Sequence, residues 1–561
     1  MQTTVKPNKI ERLKAQMKPS DFLSRLDRLD YHNLTEEERF YLKNYGIYNH
    51  KLAPENFMLR LRITAGRIDI GQLRKIAEIA KVHQLKPIIT MRAQIELHEL
   101  NADNILAVWR RLERSDLTSW QTLTDNFRNI VSDPLDGECD TSLIEAYPLI
   151  ERMESLFLKN PEYVGMLPRK FNTAVCGNRK SSHSFFSNDL YFALAKKGDA
   201  IGFNLYLGGK NSEMAQDADI FVSEEQVFAL FEAVVRTYMV HGSRGTRSKT
   251  RLFHMLQVSG MKTFKEYLKQ YYAGTLQSGG RLLVEKIEPM EFTTLRNGDR
   301  AFCYQSNFGE ISAEMLSKLC EYAAIRNLSI RFGVDQNIYL LGLEDSNVPF
   351  SNHTDPLRLS VCAGSRYCPL SLFDMKKEAS MLPLDELARL NVSVGYSGCL
   401  KGCGKHQHAD IGLIGLRTAV YGPTQKSVRL FLGAEYTKDN AASRLILMAV
   451  PLHALNALLV VILEIFKEST YGDFETFNAE VLNHFSTDFL AVWFLATLHF
   501  KSSVSPAPLL PPDGCNYNEE REWEIVISSF PSLKHFSDEV HPFHAMIKYL
   551  TQALWAEESL A

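Results

Sequence analysis

The chain repeats part of itself, and this repeat limits the folds that it can adopt. Residues 66–100 align with residues 309–343 at a constant offset of 243, without a gap. Ten residues of the first copy are identical to the residues 243 positions later, namely Gly66, Ile68, Leu73, Lys75, Glu78, Ala80, Leu85, Ile95, Leu97 and Leu100. Self-similarity at a fixed offset indicates one supersecondary unit built twice. We therefore expect a pseudo-twofold fold.

Local patterns predict what each copy builds. "FMLRLRI" (57–63) alternates apolar and polar residues, as a half-buried strand does. Asp69 is a candidate N-cap, matched by Ser312 in the second copy, and apolar residues at helical spacing follow. "IITMRAQIEL" (88–97) returns to a period of two. Each copy is therefore predicted to be a strand, a helix and a second strand.

A second repeat is fainter. Gly177 and Asp189 match Gly398 and Asp410 at an offset of 221, and "FNLYLGG" (203–209) resembles "VRLFLGA" (428–434). With the first repeat, this pattern predicts an α+β chain made of two smaller and two larger units, each kind present twice.

Composition excludes several classes of protein. With 561 residues, 45% hydrophobic content and a net charge of −3, the chain fits a globular protein without a general case for nucleic-acid or membrane-surface binding. Nine cysteines argue against a disulfide framework and favour a reducing cytoplasm. The N-terminus lacks an apolar signal core. The most apolar stretch, 445–466, is interrupted and predicts one or two buried helices, not a membrane anchor.

Four cysteines form a candidate metal centre. Cys362 and Cys368 make one pair, Cys399 and Cys403 a second, about thirty residues further on. Four thiolates suit either zinc or an iron–sulfur cluster. Structural zinc favours closely spaced cysteines in both pairs, which this spacing fits poorly. The spacing favours a cluster and leaves zinc open.

The surrounding sequence resembles a known enzyme family. "VCAGSRYCPLSLFDMKKEA" (361–379) and "GYSGCLKGCGKHQHADIGLIGL" (395–416) are similar to segments of the siroheme-dependent nitrite and sulfite reductases. The resemblance extends from about residue 35 to about residue 490. It implies that Cys362, Cys368, Cys399 and Cys403 hold a 4Fe–4S cluster, and that Cys403 also ligates the siroheme iron. It also implies two ferredoxin-like halves and two larger siroheme/4Fe–4S domains.

These observations predict six parts of the chain. In order they are an N-terminal extension (1–55), the first ferredoxin-like half (56–132), a first larger domain without cluster ligands (133–290), the second half (291–350), a second larger domain with the ligands (351–495) and a C-terminal tail (496–561). The tail contains the "SPAPLLPPDG" linker (505–514) and lies outside the resemblance. We expect it to cover the core or to bind a partner.

Basic residues in further motifs predict an anion site. "MLRLRITAG" (58–66), "TDNFRNI" (124–130) and "LPRKFN" (167–172) are similar to family segments, which implies substrate-binding roles for Arg62, Arg128 and Lys170. Arg92, beside Gln94 on the polar face of the returning strand, matches an arginine that pairs with siroheme carboxylates. Taken singly, each base fits a solvated surface charge better than a site residue. Taken as three family motifs in the expected order, they favour the functional interpretation for Arg62, Arg128 and Lys170. The segment 241–252 holds four more bases, Arg244, Arg247, Lys249 and Arg251, for which both interpretations stay open.

One position bears on the substrate. Family sulfite reductases carry a second lysine two residues after the first, and here that position is Asn172. One positive charge fewer suits a monoanion, so we expect reduction of nitrite to ammonia, with sulfite reduction as the alternative. Between the last two cysteines the family has a small residue or proline and then asparagine, whereas this chain has Leu400 and Lys401. We expect Lys401 to raise the cluster potential.

The electron donor is expected to be a separate protein. No Gly-x-Gly-x-x-Gly fingerprint is present, so electrons are expected to come from ferredoxin or a similar one-electron donor. We expect a monomer. His406 and His408 are expected near the cofactor edge or the surface, and the remaining cysteines, Cys515 among them, are expected to be buried free thiols. A remote alternative is a non-catalytic cluster or zinc scaffold.

Overall fold

The chain folds into two units. The computed structural model describes residues 6–352, 357–435, 437, 441–501 and 518–555. Unit 1 comprises residues 1–210 and 214–352, and unit 2 comprises residues 211–213 and 353–561. The predicted linker 505–514 and Cys515 lie outside the described residues. The finer six-part division stays a prediction.

Unit 1 contains eight helices and sixteen strands among its described residues. The helices are α1 Lys9–Gln16, α2 Glu36–Leu42, α3 Ile70–Val82, α4 Ile105–Glu113, α5 Tyr147–Phe157, α6 Val227–His241, α7 Leu252–Leu268 and α8 Ala313–Arg326. The strands are β1 Ile47–His50, β2 Ala53–Leu61, β3 Arg67–Ile68, β4 Lys86–Ile89, β5 Ile95–Leu100, β6 Thr173–Cys176, β7 Lys180–Ser181, β8 Leu190–Lys197, β9 Ala200–Leu207, β10 Gln216–Val222, β11 Arg281–Leu282, β12 Glu285–Lys286, β13 Phe292–Thr294, β14 Arg300–Tyr304, β15 Ser329–Phe332 and β16 Ile338–Leu343. The larger sheets have the orders β1-β2-β5-β4, β13-β14-β16-β15-β3 and β10-β9-β8-β11, with β6 also paired to β8.

Unit 2 contains one five-stranded sheet and seven helices among its described residues. The strands, β17 Leu359–Val361, β18 Val394–Ser397, β19 Ile411–Thr418, β20 Gln425–Leu432 and β21 Arg444–Pro451, pair in chain order. The helices are α9 Met375–Ala379, α10 Leu384–Arg389, α11 Leu452–Glu468, α12 Phe474–Glu480, α13 Thr487–Phe500, α14 Glu519–Ser529 and α15 Pro542–Trp555.

The predicted repeat is confirmed in the secondary structure. Shifting β4 and β5 by the sequence offset gives the bounds of β15 and β16, and shifting α3 gives α8 to within one residue. Both predicted caps are present, since the Asp69 and Ser312 side chains accept backbone N–H bonds at the starts of α3 and α8. The mixed α+β class and the duplicated architecture are therefore as expected.

Each copy of the repeat has a short backbone segment that pairs with the other copy. β3 of the first copy adds to the sheet of the second copy, where Arg67 pairs with Arg331. The repeat-equivalent residues of this pair, Glu310 and Ile88, also form a bridge, with the roles of the two copies reversed. A Cβ on Gly66 would collide with the Phe332 carbonyl oxygen, and one on Gly309 with the Ile89 carbonyl oxygen. Both glycines have positive φ, so each copy needs a glycine where its partner's backbone approaches.

The fainter repeat is also present. β6 pairs in parallel with β8 from Thr173 and Leu190, and β18 pairs with β19 from Val394 and Ile411 at the same offset of 221. In both copies a buried aspartate then accepts a backbone N–H. Asn172 N donates to Asp189 at 2.8 Å, and Ser393 N donates to Asp410 at 2.8 Å. The same hydrogen-bonded arrangement thus occurs in both copies of the fainter repeat.

A buried histidine lies between two aspartates that are distant in the sequence of unit 1. His183 lies 3.7 Å from Asp133 and 3.6 Å from Asp335, and its side chain is 8% exposed. Burial disfavours its charged form, but hydrogen bonds to Asp133 and Asp335 outweigh burial and raise the pKa of His183 to about 9. The histidine is therefore charged at neutral pH and offsets one of the two negative charges beside it.

Two local expectations are wrong. The stretch 445–466 is not wholly helical, because its first part forms β21 before α11 begins at Leu452. Its β-branched and aliphatic residues form the edge strand of the sheet, paired with β20. The segment 88–97 is not one strand, because β4 and β5 are joined by a five-residue turn. Arg92 and Gln94 lie in that turn, which Thr90 N closes by donating to Gln94 O at 2.8 Å.

No single helix among the described residues is long and apolar enough to cross a membrane. The pair Phe474–His484 and Thr487–Phe500 meets the length and composition criteria jointly, with a bend of 111°.

The described part of the tail belongs to the core of unit 2. α15 packs against α13, and Trp555 at its end is 2% exposed. Glu522 of α14 is 2% exposed and accepts bonds from Ser486 N at 2.6 Å and Ser486 Oγ at 2.5 Å, at the start of α13. Of the two expected roles, covering the core is the one that these contacts support.

The reciprocal glycine contacts predict a stability effect. Gly66→Ala would force the backbone of the two copies apart, and we expect it to lower the free energy of unfolding by about 3 kcal/mol or more. Gly298→Ala is the matched control, since Gly298 has φ +90° but no atom within 4 Å of an added Cβ. It should cost only about 1–2 kcal/mol. Urea unfolding of both variants measures the difference, and equal losses would contradict the close backbone contact between the two copies.

Candidate functional site

A basic cluster forms in unit 1 where several loops meet. We define it as Arg60, Arg62, Arg92, Arg128, Arg169 and Arg251. Arg60 lies on β2, Arg62 follows its end, and Arg92 lies in the turn after β4. These arginines are close enough to disfavour one another's charge, since Arg60, Arg169 and Arg92 all contribute to lowering the pKa of Arg128, after burial. The structure therefore brings together three of the bases that the sequence indicated.

Arg62 is largely committed to the protein itself. Its side chain is 1% exposed, and Nη1 lies 2.9 Å from Glu154 Oε1. Nη2 donates to Phe127 O at 2.7 Å and to Gln121 O at 3.3 Å. Its Nε is buried and has no hydrogen-bond partner among the described residues. The predicted substrate arginine thus mainly holds the 121–128 loop in place and keeps one N–H for another acceptor.

Arg128 differs from Arg62 because its guanidinium is not neutralised. Its Nη1 is buried and has no hydrogen-bond partner among the described residues. Burial, followed by the charges of Arg60, Arg169 and Arg92, holds the pKa of Arg128 well below its usual value. An unpaired buried N–H costs about 1–3 kcal/mol, and an anion would remove that cost.

Arg92 and Gln94 are held by their turn and by neighbouring backbone. Arg92 Nη1 donates to Asn188 Oδ1 at 2.8 Å, and Nη2 donates to Asn129 O and, at 3.1 Å, to Thr173 O. Burial is the main cause that lowers the pKa of Arg92 to about 9. Arg92 Nε and Gln94 Oε1 are buried without a partner among the described residues. Both therefore have a polar atom left for a ligand.

Lys170 and Asn172 lie on a segment that pairs with the one holding Arg128. Arg128 N donates to Phe171 O at 2.8 Å, and Phe171 N donates to Asn126 O at 3.0 Å. Lys170 is half-buried and Asn172 is 5% exposed. The backbone thus brings these predicted site residues into one neighbourhood, where Asn172 adds no charge.

Two buried carboxylates are functional residues that the sequence reasoning missed. Asp125 is bound by both Nη atoms of Arg247 at 2.5 and 2.6 Å, and Asp189 by Arg251 Nε and Nη2 at 2.8 and 2.6 Å. Both side chains are fully buried. The open question about the bases of 241–252 is answered for these two arginines, which are ion-paired inside the protein. Asp189 and its repeat partner Asp410 were a signal that could have revealed this role.

The four candidate ligands gather in unit 2 at the ends of two parallel strands. Cys362 follows β17, and Cys399 and Cys403 follow β18. The thiols are near one another, because Cys403 raises the pKa of both Cys362 and Cys368, after burial as the larger cause. The pKa of Cys362 reaches about 11 without a bound metal. Parallel pairing of β17 and β18 therefore brings two distant sequence segments together.

The surroundings of the thiols fit an iron–sulfur cluster. Gly398 N donates to Cys362 Sγ at 3.1 Å, and backbone groups of Leu370 and Ser371 hydrogen-bond to Cys368. Such N–H···S bonds stabilise thiolates that ligate a cluster. Among the described residues, no three His, Cys, Asp or Glu side chains are arranged closely enough to hold a single metal ion. The N–H···S bonds at Cys362 and Cys368 are what supports a cluster at these thiols.

A cavity of about 360 Å³ lies in unit 2 beside the loop of Cys399 and Cys403. Lys401, His406 and Arg429 are among its lining residues, and Asn211 Nδ2 donates to Lys401 O at 2.9 Å. His406 and His408 are buried, which excludes the surface as their position, and a position near the cofactor edge stays a prediction. Burial lowers the pKa of His406 to about 4. The Lys401 side chain is exposed, and its effect on a cluster stays a prediction.

Comparisons with protein families agree with this geometry. Residues 123–276 match the family model described as "nitrite and sulphite reductase 4Fe-4S domain". Residues 50–115 match the model of the "nitrite/sulfite reductase ferredoxin-like half domain". The first match covers the copy without the four clustered cysteines.

Relatives of known name cover most of the chain. The ferredoxin–nitrite reductase of Synechococcus elongatus is 29% identical, over 78% of this chain and 92% of that protein. Sulfite reductase [ferredoxin] 1 of Mycolicibacterium paratuberculosis is 25% identical, over 65% of this chain and 71% of that protein. The solved structure of the Mycobacterium tuberculosis NirA protein has a TM-score of 0.74, with 22% identity, over 82% of this chain and 94% of that one. This last likeness concerns the fold.

The contrast between Arg62 and Arg128 predicts opposite effects on stability. Arg62→Met leaves Glu154 buried without its partner, so we expect a loss of about 3–5 kcal/mol in the free energy of unfolding. Arg128→Met removes a buried unpaired donor, so we expect a gain of about 1–2 kcal/mol in the absence of anions. Urea unfolding in chloride-poor buffer measures both. A destabilising Arg128→Met would contradict its assignment as an unsatisfied cation.

Proposed function

Because this chain belongs to the nitrite and sulphite reductase family, we propose that it reduces nitrite to ammonia by six electrons, taken from ferredoxin, with siroheme and a 4Fe–4S cluster as cofactors. The family consists of oxidoreductases. The observation that carries the proposal is a group of three buried N–H atoms in the basic cluster that have no hydrogen-bond partner among the described residues, namely Arg62 Nε, Arg92 Nε and Arg128 Nη1. Unsatisfied buried cations call for an anionic ligand.

In this proposal, four cysteines, one arginine and one glutamine hold the cofactors. Cys362, Cys368, Cys399 and Cys403 would bind the 4Fe–4S cluster, and Cys403 would also hold the siroheme iron. Arg92 and Gln94 would bind the siroheme carboxylates, and their unpartnered atoms support this role. When bound, the coupled cofactors supply single electrons to an oxyanion at the iron.

Arg128 and Lys170 bind the substrate oxygens in this proposal. Both lie on paired segments, so the backbone bonds at Phe171 fix their spacing before substrate arrives. Arg62 supports them by anchoring the loop of Arg128 and offers its Nε. Fixed positive charge stabilises the oxygens as the N–O bonds break.

Protons also come from this chain's own side chains. The Lys170 ammonium is the candidate donor, because an arginine keeps its proton in proteins. Arg128 binds the substrate oxygens as a cation. Buried Asp125 and Asp189 keep Arg247 and Arg251 neutralised, so the charge offered to substrate is concentrated on Arg128 and Lys170.

The family relationship also supports a proposal for the electron donor and for the cellular compartment. Two relatives are named ferredoxin–nitrite reductases, from Synechococcus elongatus and Leptolyngbya laminosa, which supports ferredoxin as the donor here. All eight described cysteines are free thiols, which suits a reducing cytoplasm. We propose that the protein acts there as a monomer.

Sulfite reduction is the second candidate. It is favoured by the density of arginines and by relatives named sulfite reductase. Nitrite is preferred because Asn172, 5% exposed and beside Asp189, supplies no fourth cation for a dianion.

Activity and spectra test the proposal together. Purified protein supplied with iron, sulfide and siroheme should show a Soret band and a band in the red. With reduced viologen it should form ammonia from nitrite with a higher kcat/KM than sulfide from sulfite. Cys403→Ser should remove the magnetic coupling between the siroheme iron and the 4Fe–4S cluster. Protein that binds no tetrapyrrole, or that turns over sulfite faster than nitrite by kcat/KM, would refute the proposal.

Charge at residue 172 predicts the substrate preference. Asn172→Lys adds a cation near the substrate and should raise the ratio of sulfite to nitrite kcat/KM by about tenfold. Asn172→Gln is the matched control, because it changes size but not charge, and should leave the ratio within about twofold of the parent. Viologen-linked assays of both anions give the ratio. A rise of similar size in both variants would show that shape, and not charge, controls the preference.

A further inference from the structure

A buried lysine from the N-terminal helix reaches the segments that hold the proposed substrate residues. Lys14 lies on α1, and its side chain is 2% exposed. Its Nζ is 2.7 Å from Glu11 Oε1, 2.9 Å from Asp125 Oδ2 and 2.7 Å from Leu167 O. An ammonium has three N–H donors, so all three are satisfied.

Two of these acceptors lie near the starts of the two segments that hold Arg128 and Lys170. Asp125 precedes Arg128 by three residues, and Leu167 precedes Lys170 by three. The segments are joined further along by the bonds at Phe171. Lys14 therefore holds the two segments together at their first residues, on the side away from the bonds at Phe171.

Lys14 also controls the electrostatics of Asp125. Burial disfavours the carboxylate, but the charge of Lys14, the hydrogen bond and charge of Arg247, and the charge of Arg169 together hold the pKa of Asp125 below its usual value. Arg169 Nη1 is 3.5 Å from Asp125 Oδ1, and its side chain is 34% exposed. Without Lys14, the carboxylate would attract Arg169 more strongly, and Arg169 precedes Lys170 directly.

The helix is held in place from its other side. Asn8 N and Nδ2 donate to Arg244 O at 3.1 and 2.8 Å, and Arg244 Nη1 donates to Glu11 Oε2 at 2.6 Å. Tyr41 OH donates to Leu13 O at 2.7 Å. These contacts fix the position of α1 independently of Lys14, so removing the lysine should not release the helix.

We propose that Lys14 is a positioning residue of the anion site, which holds Arg128 and Lys170 in register by neutralising Asp125 and binding Leu167 O. This inference rests on the proposed function for its effect on catalysis. Lys14 lies outside the residues that match the two family models, 50–115 and 123–276.

The test compares three variants. Lys14→Met removes the charge and the three bonds. Lys14→Arg retains a cation. Arg12→Met, on the exposed face of the same helix, is the matched control. For each, kcat and KM for nitrite are measured with reduced viologen, together with cofactor content. Hydrogen exchange of the peptides 124–130 and 167–172 is measured by mass spectrometry.

A positioning role predicts a specific pattern. Lys14→Met should raise KM for nitrite by about tenfold with kcat within about twofold. It should speed exchange in the two peptides and leave α3 and α13 unchanged. Lys14→Arg should recover at least half of the lost affinity, and Arg12→Met should match the parent. Unchanged KM and exchange in Lys14→Met would overturn the inference. So would faster exchange throughout the protein with loss of cofactor, since that marks a general structural role.

The exchange measurement separates this inference from the proposed function. If the parent protein reduces neither nitrite nor sulfite, the proposed function fails, while local exchange in 124–130 and 167–172 still decides whether Lys14 holds those segments. If the parent is active and Lys14→Met behaves like Arg12→Met, only the role of Lys14 fails.

Discussion

Two buried carboxylates make the arginine-rich interior of unit 1 possible. Asp125 and Asp189 have no exposed side-chain surface, and each binds one guanidinium through two bonds. Buried cations repel one another strongly unless they are paired, and removing one partner of such a pair costs several kcal/mol. By neutralising Arg247 and Arg251, these carboxylates leave the remaining charge on a few chosen groups. Arg128 is the clearest of these, because its Nη1 is buried without a partner among the described residues.

The repeat explains how one scaffold supports two kinds of chemistry. Asp189 and Asp410 occupy equivalent positions and accept the same backbone bond, from Asn172 and Ser393. In the first copy Asp189 also binds Arg251, and the loop carries bases. In the second copy the equivalent loop carries Cys399 and Cys403, and backbone N–H groups point at the ligand sulfur of Cys362. The backbone is thus retained while the side chains diverge, since Asn178 and Ser182 stand in the first copy where Cys399 and Cys403 stand in the second.

Much of the secondary structure could be predicted, and the failures have physical reasons. The bounds of α3, β15 and β16 follow from the offset of 243, because caps and apolar spacing are local properties. The segment 88–97 was misassigned because alternation continues through a tight turn as well as along a strand. The start of the 445–466 stretch was misassigned because apolar runs suit a buried strand and a buried helix equally. Arg62 was expected to face the substrate, whereas Glu154, distant in sequence, neutralises it.

By itself the sequence determined the duplicated α+β architecture, the four thiols that gather in unit 2, and the identity of the bases that gather in unit 1. These depend on spacing, periodicity and residue type, which are properties of neighbouring residues along the chain. Only the tertiary structure decided which of those bases are neutralised and which keep an unsatisfied N–H. That outcome depends on carboxylates and carbonyl groups from distant segments, such as Glu154 for Arg62 and Asp125 for Lys14. Burial gives these contacts their weight, because a charge removed from water must find its partner within the protein.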